Sequence, residues 1–196
     1  MEGLKKIDAV RAMIERFPEE TAFRRELGET EFGYASMLII HLDRPEDALV
    51  RLANAVDVYQ AIFEESEPIA NDGAGWLAAI QAKAEIFCLQ GDIEGTKVVI
   101  EQLHEMATMF AGRYPEMPYF VNVIMTTESQ LDYFKTEVGE YVAMAMTTYS
   151  VFPKKTLPNL TRAQDRYKSL WDEGIMTPEQ GDDWLFVFDI KKVAFD

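Results

Sequence analysis

Asp43-Arg44-Pro45-Glu46-Asp47-Ala48-Leu49 leads into the clearest periodicity of the chain. Leu49, Leu52, Val56, Tyr59 and Phe63 recur in alternating steps of three and four residues. Side chains at that spacing share one face of an α-helix, so the segment to about Glu65 reads as an amphipathic helix with a buried stripe. Its start is marked as well. Pro45 falls in the first turn, where a missing amide hydrogen costs little, Asp43 is expected to cap the free amides, and Glu46 stands three residues on.

Upstream, Thr21 to Leu42 carries one stripe of Phe23, Leu27, Tyr34 and Leu38 and a second of Phe32, Ala35 and Ile39. A helix apolar on two sides is sandwiched between neighbours. Gly28 and Gly33 lower its helix propensity, so close approach of another helix is expected at both. Before it, Leu4, Ile7, Val10, Ile14 and Phe17 line one face of a first helix that Pro18 ends.

Downstream the plan repeats. Trp76, Ile80, Ala84 and Phe87 form a stripe, Gln90-Gly91-Asp92 turns the chain, and Ile93 to Phe110 follows with Val99, Leu103, Met106 and Phe110 inward. A third unit starts after Pro118 with Tyr119, Val123, Ile124, Leu131 and Phe134. A turn is expected at Val138-Gly139-Glu140 before a helix from Tyr141 to about Ser150. Proline-and-acid breaks at Pro18-Glu19-Glu20, Glu67-Pro68 and Pro115-Glu116 lie about 47–50 residues apart, the period of stacked helical hairpins.

The pattern then changes. Phe152-Pro153-Lys154-Lys155-Thr156-Leu157-Pro158 holds two prolines and divides a repeat region, residues 1–150, from a C-terminal capping segment, residues 151–196. Within the latter, Leu160 to Glu173 reads as a helix ended by Gly174, and Thr177-Pro178-Glu179-Gln180 is a helix-start signature. The run Trp184 to Phe188 is expected to be helical, with a short strand over Phe186 to Ile190 as the alternative. Trp171 and Trp184 are expected to close the open end of the array, where a terminal unit must hide an apolar face.

The chain has 196 residues, 48% of them hydrophobic, enough to bury a full core. Its formal net charge of −15 opposes direct contact with nucleic acid or an anionic membrane and favours basic partners. Cys88 is the single cysteine, which rules out an intrachain disulfide and suits a reducing compartment. No secretory signal follows Met1 and no apolar run is long enough to span a bilayer, so a cytoplasmic protein is expected.

Phe32, Ala35, Ser36, Ile39, Ala48, Leu52 and Ala55 resemble the spaced large-and-small signature of a tetratricopeptide repeat. Ala84, Phe87, Gly91, Ile93 and Thr96 follow the same pattern in the second unit, and Leu131, Gly139, Tyr141 and Met144 keep a reduced version in the third. The resemblance covers roughly residues 5–150. It implies an all-α fold in which antiparallel hairpins stack as a short right-handed solenoid whose first helices line a concave groove. The family's groove positions fall on Thr30, Gly33, Met37, Ile40 and His41 in the first unit, on Gln81, Glu85 and Cys88 in the second, and on Ser129, Tyr133 and Glu137 in the third. These are not the Lys, Arg and Asn of the carboxylate-binding version. The set suits a basic amphipathic segment better than an acidic C-terminal peptide.

Catalytic and metal signatures are missing from the pattern. His41 and His104 lie on different hairpins, and no paired-cysteine or His-Glu-x-x-His spacing occurs. His41, near the end of its helix, is favoured there by the helix dipole. Cys88, beside Phe87, reads as a small buried hydrophobe. The acidic runs, Asp182-Asp183 beside Trp184 among them, read as helix starts and solvated faces. The expectation is a binding protein with no enzymatic activity, metal or cofactor, an adaptor or regulatory module that holds a protein or peptide. The alternatives are an acidic inhibitor of a basic protein, such as an immunity protein or nucleic-acid mimic, and a peptide or small-molecule sensor. The sequence leaves the oligomeric state open.

Overall fold

The structure, a computed structural model, describes residues 2–149 and 151–195. Among these it contains helices and no strand: α1 (Glu2–Arg16), α2 (Thr21–Ile40), α3 (Pro45–Glu65), α4 (Ala70–Gln90), α5 (Ile93–Arg113), α6 (Pro118–Tyr133), α7 (Glu137–Tyr149), α8 (Pro153–Asp172) and α9 (Pro178–Phe195). Each packs against the next in sequence, as expected of short connections between amphipathic helices. No helix of the described residues is long and apolar enough to cross a membrane.

The hairpin boundaries follow the turn chemistry closely. Gly91 ends α4 in the left-handed region at φ 76°, and Asp92 accepts the Gly95 amide at 2.8 Å to start α5. Thr177 and Gln180 make a reciprocal capping box at the head of α9, at 2.9 and 3.3 Å. The apolar run behind it is helical throughout, so the strand alternative for Phe186 to Ile190 is not realised.

Three local expectations are corrected. Asp43 does not cap α3. It sits in the left-handed region at φ 49°, leaves the cap position to Arg44, and pairs with Lys155 of α8 at 3.0 Å. The third turn comes earlier than Val138-Gly139-Glu140, at Phe134 to Thr136, because the Thr136 hydroxyl accepts the Gly139 amide at 3.0 Å and starts α7 there. Gly139 is thus in the first turn of a helix, where a Cβ would strike the Tyr133 carbonyl. The helix expected from Leu160 starts earlier: α8 begins at Pro153 and carries Pro158 within it. Pro158 stands in the second turn on an exposed side, where its missing amide hydrogen forfeits one ladder bond. Ser150, the expected end of α7, lies outside the described residues.

Gly28 behaves as expected and Gly33 does not. A Cβ on Gly28 would lie 2.9 Å from the Tyr59 ring, and one on Gly75 would lie 2.5 Å from it, so the buried ring is held between glycines of α2 and α4. Around Gly33 there is open space.

The core centres on α4. Leu77, Ile80 and Ala84 face α5 and α6, and Phe63 of α3, Trp76 of α4, Phe110 of α5 and Phe120 of α6 form a continuous aromatic cluster with ring centroids 4.9–5.9 Å apart. Ala79, Ala82 and Ile86 face α2 and α3. The other buried helix is α7, whose Ala143 and Met144 join the α4–α6 core while Val142 and Ala145 pack on Leu160, Ala163 and Tyr167 of α8. In the third hairpin it is α7 that lies against α4 and α5, while α6 leans on α5. Tyr167, Leu170 and Val187 fill the space between α7, α8 and α9. Of the two tryptophans, Trp184 is partly buried and packs against this cluster, whereas Trp171 is 64% exposed and tilts against Trp184 with ring centroids 6.2 Å apart.

Candidate binding hollow

Two adjoining cavities meet at Gln81 of α4. The first lies between α2, α4 and the turn into α8, and holds about 240 Å³. Phe32, Ser36 and Ile40 recur at helical spacing and give α2 one wall, Ala78 and Ala82 form the α4 wall, and Phe152 closes the far side. The second, about 210 Å³, is the gap between α4 and α6 and is bounded by α5 and α7. Its lining is more polar: Asn122, Thr126 and Thr127 face Gln81 across it. Gln130 donates to the Thr147 hydroxyl at 3.2 Å, and His104 Nδ1 lies 3.0 Å from the Thr127 hydroxyl.

At the inner end of the first cavity sits Glu85, only 6% exposed. Gln81, one helical turn earlier, donates its side-chain amide to Glu85 Oε1 at 3.3 Å. Among the described residues no cation pairs with this carboxylate. Burial therefore raises its pKa from the ordinary 4.5 to about 7, a shift the Gln81 hydrogen bond only partly offsets.

The other buried acids, Glu31 and Asp72, are neutralised by arginines, and the half-buried Asp183 is held by tyrosine hydroxyls. Glu31, fully buried, receives Arg11 at 2.9 Å, Arg51 at 3.2 Å and the Asn54 amide at 3.4 Å, which ties α1, α2 and α3. Asp72 holds Arg25. Asp183, the acid beside Trp184, accepts the Tyr133 hydroxyl at 3.0 Å and the Tyr167 hydroxyl at 3.5 Å. Burial and this carboxylate together push both phenols up, Tyr133 to about 12. These are structural ties; among the described residues, Glu85 is the buried acid that faces a cavity without a counter-charge.

Of the groove positions implied by the resemblance, the structure brings together Ile40, Gln81 and Glu85. Thr30 is buried in α2 with no partner for its hydroxyl among the described residues, Gly33 faces open space and Met37 is half-buried. His41 is the exposed C-cap of α2 and donates its amide to the Met37 carbonyl at 3.0 Å. Cys88 is buried beneath α7, its thiol donating to the Met144 carbonyl at 2.8 Å, and burial lifts its pKa to about 12. Ser129 is exposed on α6, Tyr133 is engaged by α9, and Glu137 lies 3.7 Å from Arg166. Sequence reasoning did not place Phe32, Ala82 or Phe152 at this hollow. The spacing of Phe32, Ser36 and Ile40 was a usable signal for one wall. Nothing local marked Phe152.

Among the described residues no three His, Cys, Asp or Glu side chains converge on a point that would hold a metal ion. Compared with protein-family models, with curated proteins and with solved structures, the chain matches none.

Proposed function

We propose that this chain is a non-enzymatic protein-binding module whose hairpins form a short right-handed array of the tetratricopeptide type. It holds a basic amphipathic segment of a partner in the hollow between α2, α4 and α6. The observation that carries the reading is the pair of cavities meeting at Gln81, with apolar walls along α2 and polar groups on α6. Apolar walls with a few fixed polar groups are what an amphipathic segment needs, and the net charge of −15 draws a basic one in.

Selection from a displayed peptide library tests it. Enriched sequences should pair lysine or arginine with apolar residues, and Ala78→Trp, which fills the first cavity, should weaken the best of them about tenfold while circular dichroism stays helical. Enrichment of acidic peptides, or full binding by a folded Ala78→Trp variant, would overturn the reading.

A further inference from the structure

We infer that the Glu85 cavity is a receptor for a primary alkylammonium group, and that in the bound complex its occupant is a lysine side chain of the partner segment. The inference rests on the binding-module reading above and adds which side chain enters the hollow, and where.

Three observations combine. Glu85 is more than nine-tenths buried, lines the cavity, and receives one side-chain hydrogen bond, from Gln81. A buried carboxylate without a cation is costly, and among the described residues the fold brings arginines to Glu31 and Asp72 but no cation to Glu85. Burial raises the Glu85 pKa accordingly, so an arriving cation is rewarded by relief of that penalty.

The walls select the rest of the ligand. Phe32, Ile39, Ile40 and Phe152 give the cavity apolar walls that match a chain of methylenes. A volume of about 240 Å³ is below the roughly 300 Å³ at which cavities begin to take drug-sized molecules, so one extended side chain fits. An ammonium is preferred to a guanidinium. A compact point charge needs only the one oxygen that Gln81 leaves free, and it brings no planar fork for a cavity of about 240 Å³ to seat.

The probe is n-pentylammonium, with n-pentanol as its uncharged counterpart, titrated into the full chain and followed by amide NMR. Pentylammonium should give saturable shifts at Gln81, Glu85 and Phe152, and bind at least tenfold more tightly than pentanol. Glu85→Gln should bring the two affinities to within about twofold of each other while circular dichroism stays helical. Equal binding of the two probes, shifts elsewhere, or a preference that survives Glu85→Gln would each overturn the inference. Where Glu85→Gln is poorly folded, displacement of pentylammonium by the bulky Ala82→Leu side chain reads the same site.

A second arm separates a free amine from lysine. In a basic peptide selected as above, replacing each lysine by norleucine should cost at least tenfold at one position only. A peptide indifferent to every replacement removes the lysine assignment and leaves the groove standing. Pentylammonium binding without any enriched basic peptide retains the pocket and removes the groove.

Discussion

Arg25 of α2 grips Asp72 of α4 with two atoms of its guanidinium, Nε to Oδ1 at 2.8 Å and Nη2 to Oδ2 at 3.0 Å. Asp72 also accepts the Ile69 amide at 2.8 Å, so one carboxylate both secures the head of α4 and fastens it to the hairpin before it. Asp72 is buried and Arg25 largely covered, which sets this pair apart from the exposed ones. Arg25→Gln would strand a buried negative charge and should cost about 2–4 kcal/mol in chemical denaturation. Arg25→Lys should recover less than half, since an ammonium cannot bond both oxygens. A loss below about 0.5 kcal/mol would mean the pair contributes no more than a surface contact.

The Tyr59 ring lies where Gly28 and Gly75 leave room for it. Gly75→Ala forces the ring or the α3–α4 spacing to shift and should destabilise by about 1–3 kcal/mol, despite the better helix propensity of alanine. Combined with Tyr59→Leu, the same substitution should cost less than it does alone. A double-mutant cycle with no coupling would show that the ring does not set the helix spacing.

Glu85 links stability to pH with a definite sign. Its folded pKa is near 7 against an ordinary 4.5, so between those values the folded chain keeps a proton that the unfolded chain has released. Its contribution to stability therefore falls as pH rises through that window, and levels off above it. Glu85→Gln, neutral at every pH, should flatten this dependence and raise stability above pH 7 by about 1–3 kcal/mol. Urea denaturation of both proteins from about pH 4 to 8 reads the difference, and parallel curves would show that Glu85 is not held in its neutral form by the fold.

Cys88 should be chemically quiet. Its thiol is buried under α7, bonded to the Met144 carbonyl, and its pKa is pushed to about 12. Iodoacetamide near pH 7.5 should modify it on the order of a hundredfold more slowly in the native chain than in urea. Comparable rates would mean that α7 opens readily away from α4.

Asp183 is the tie that brings α9 onto α6 and α8, through Tyr133 and Tyr167. Asp183→Ala should loosen α9 locally. Hydrogen exchange should quicken in residues 178–195 while α3 and α4 stay protected. Uniform quickening would show that α9 and the first hairpins unfold as one unit.

Much of the architecture was legible in residue spacing. The stripe from Leu49 to Phe63, the αL glycine at position 91 and the Thr177–Gln180 box each rest on contacts within a few residues, so local chemistry suffices to read them. The misread points share a different cause. Asp43 had a cap's identity, yet its partner is Lys155, more than a hundred positions away, and Gly139 looked like a turn because its neighbour across the bend, the Tyr133 carbonyl, cannot be seen along the chain.

The amino-acid order by itself determined the helices, their amphipathic faces and the surplus of acid, because each follows from period, backbone preference or counting. Which acids are compensated was settled only in three dimensions. Asp72 stands at the head of α4 and Glu31 and Glu85 lie within their helices, but nothing local in the sequence foretells which of them receives a cation. Packing brought arginines to the first two and aromatic walls to the third, because the cost of a buried charge depends on what the neighbouring helices place beside it.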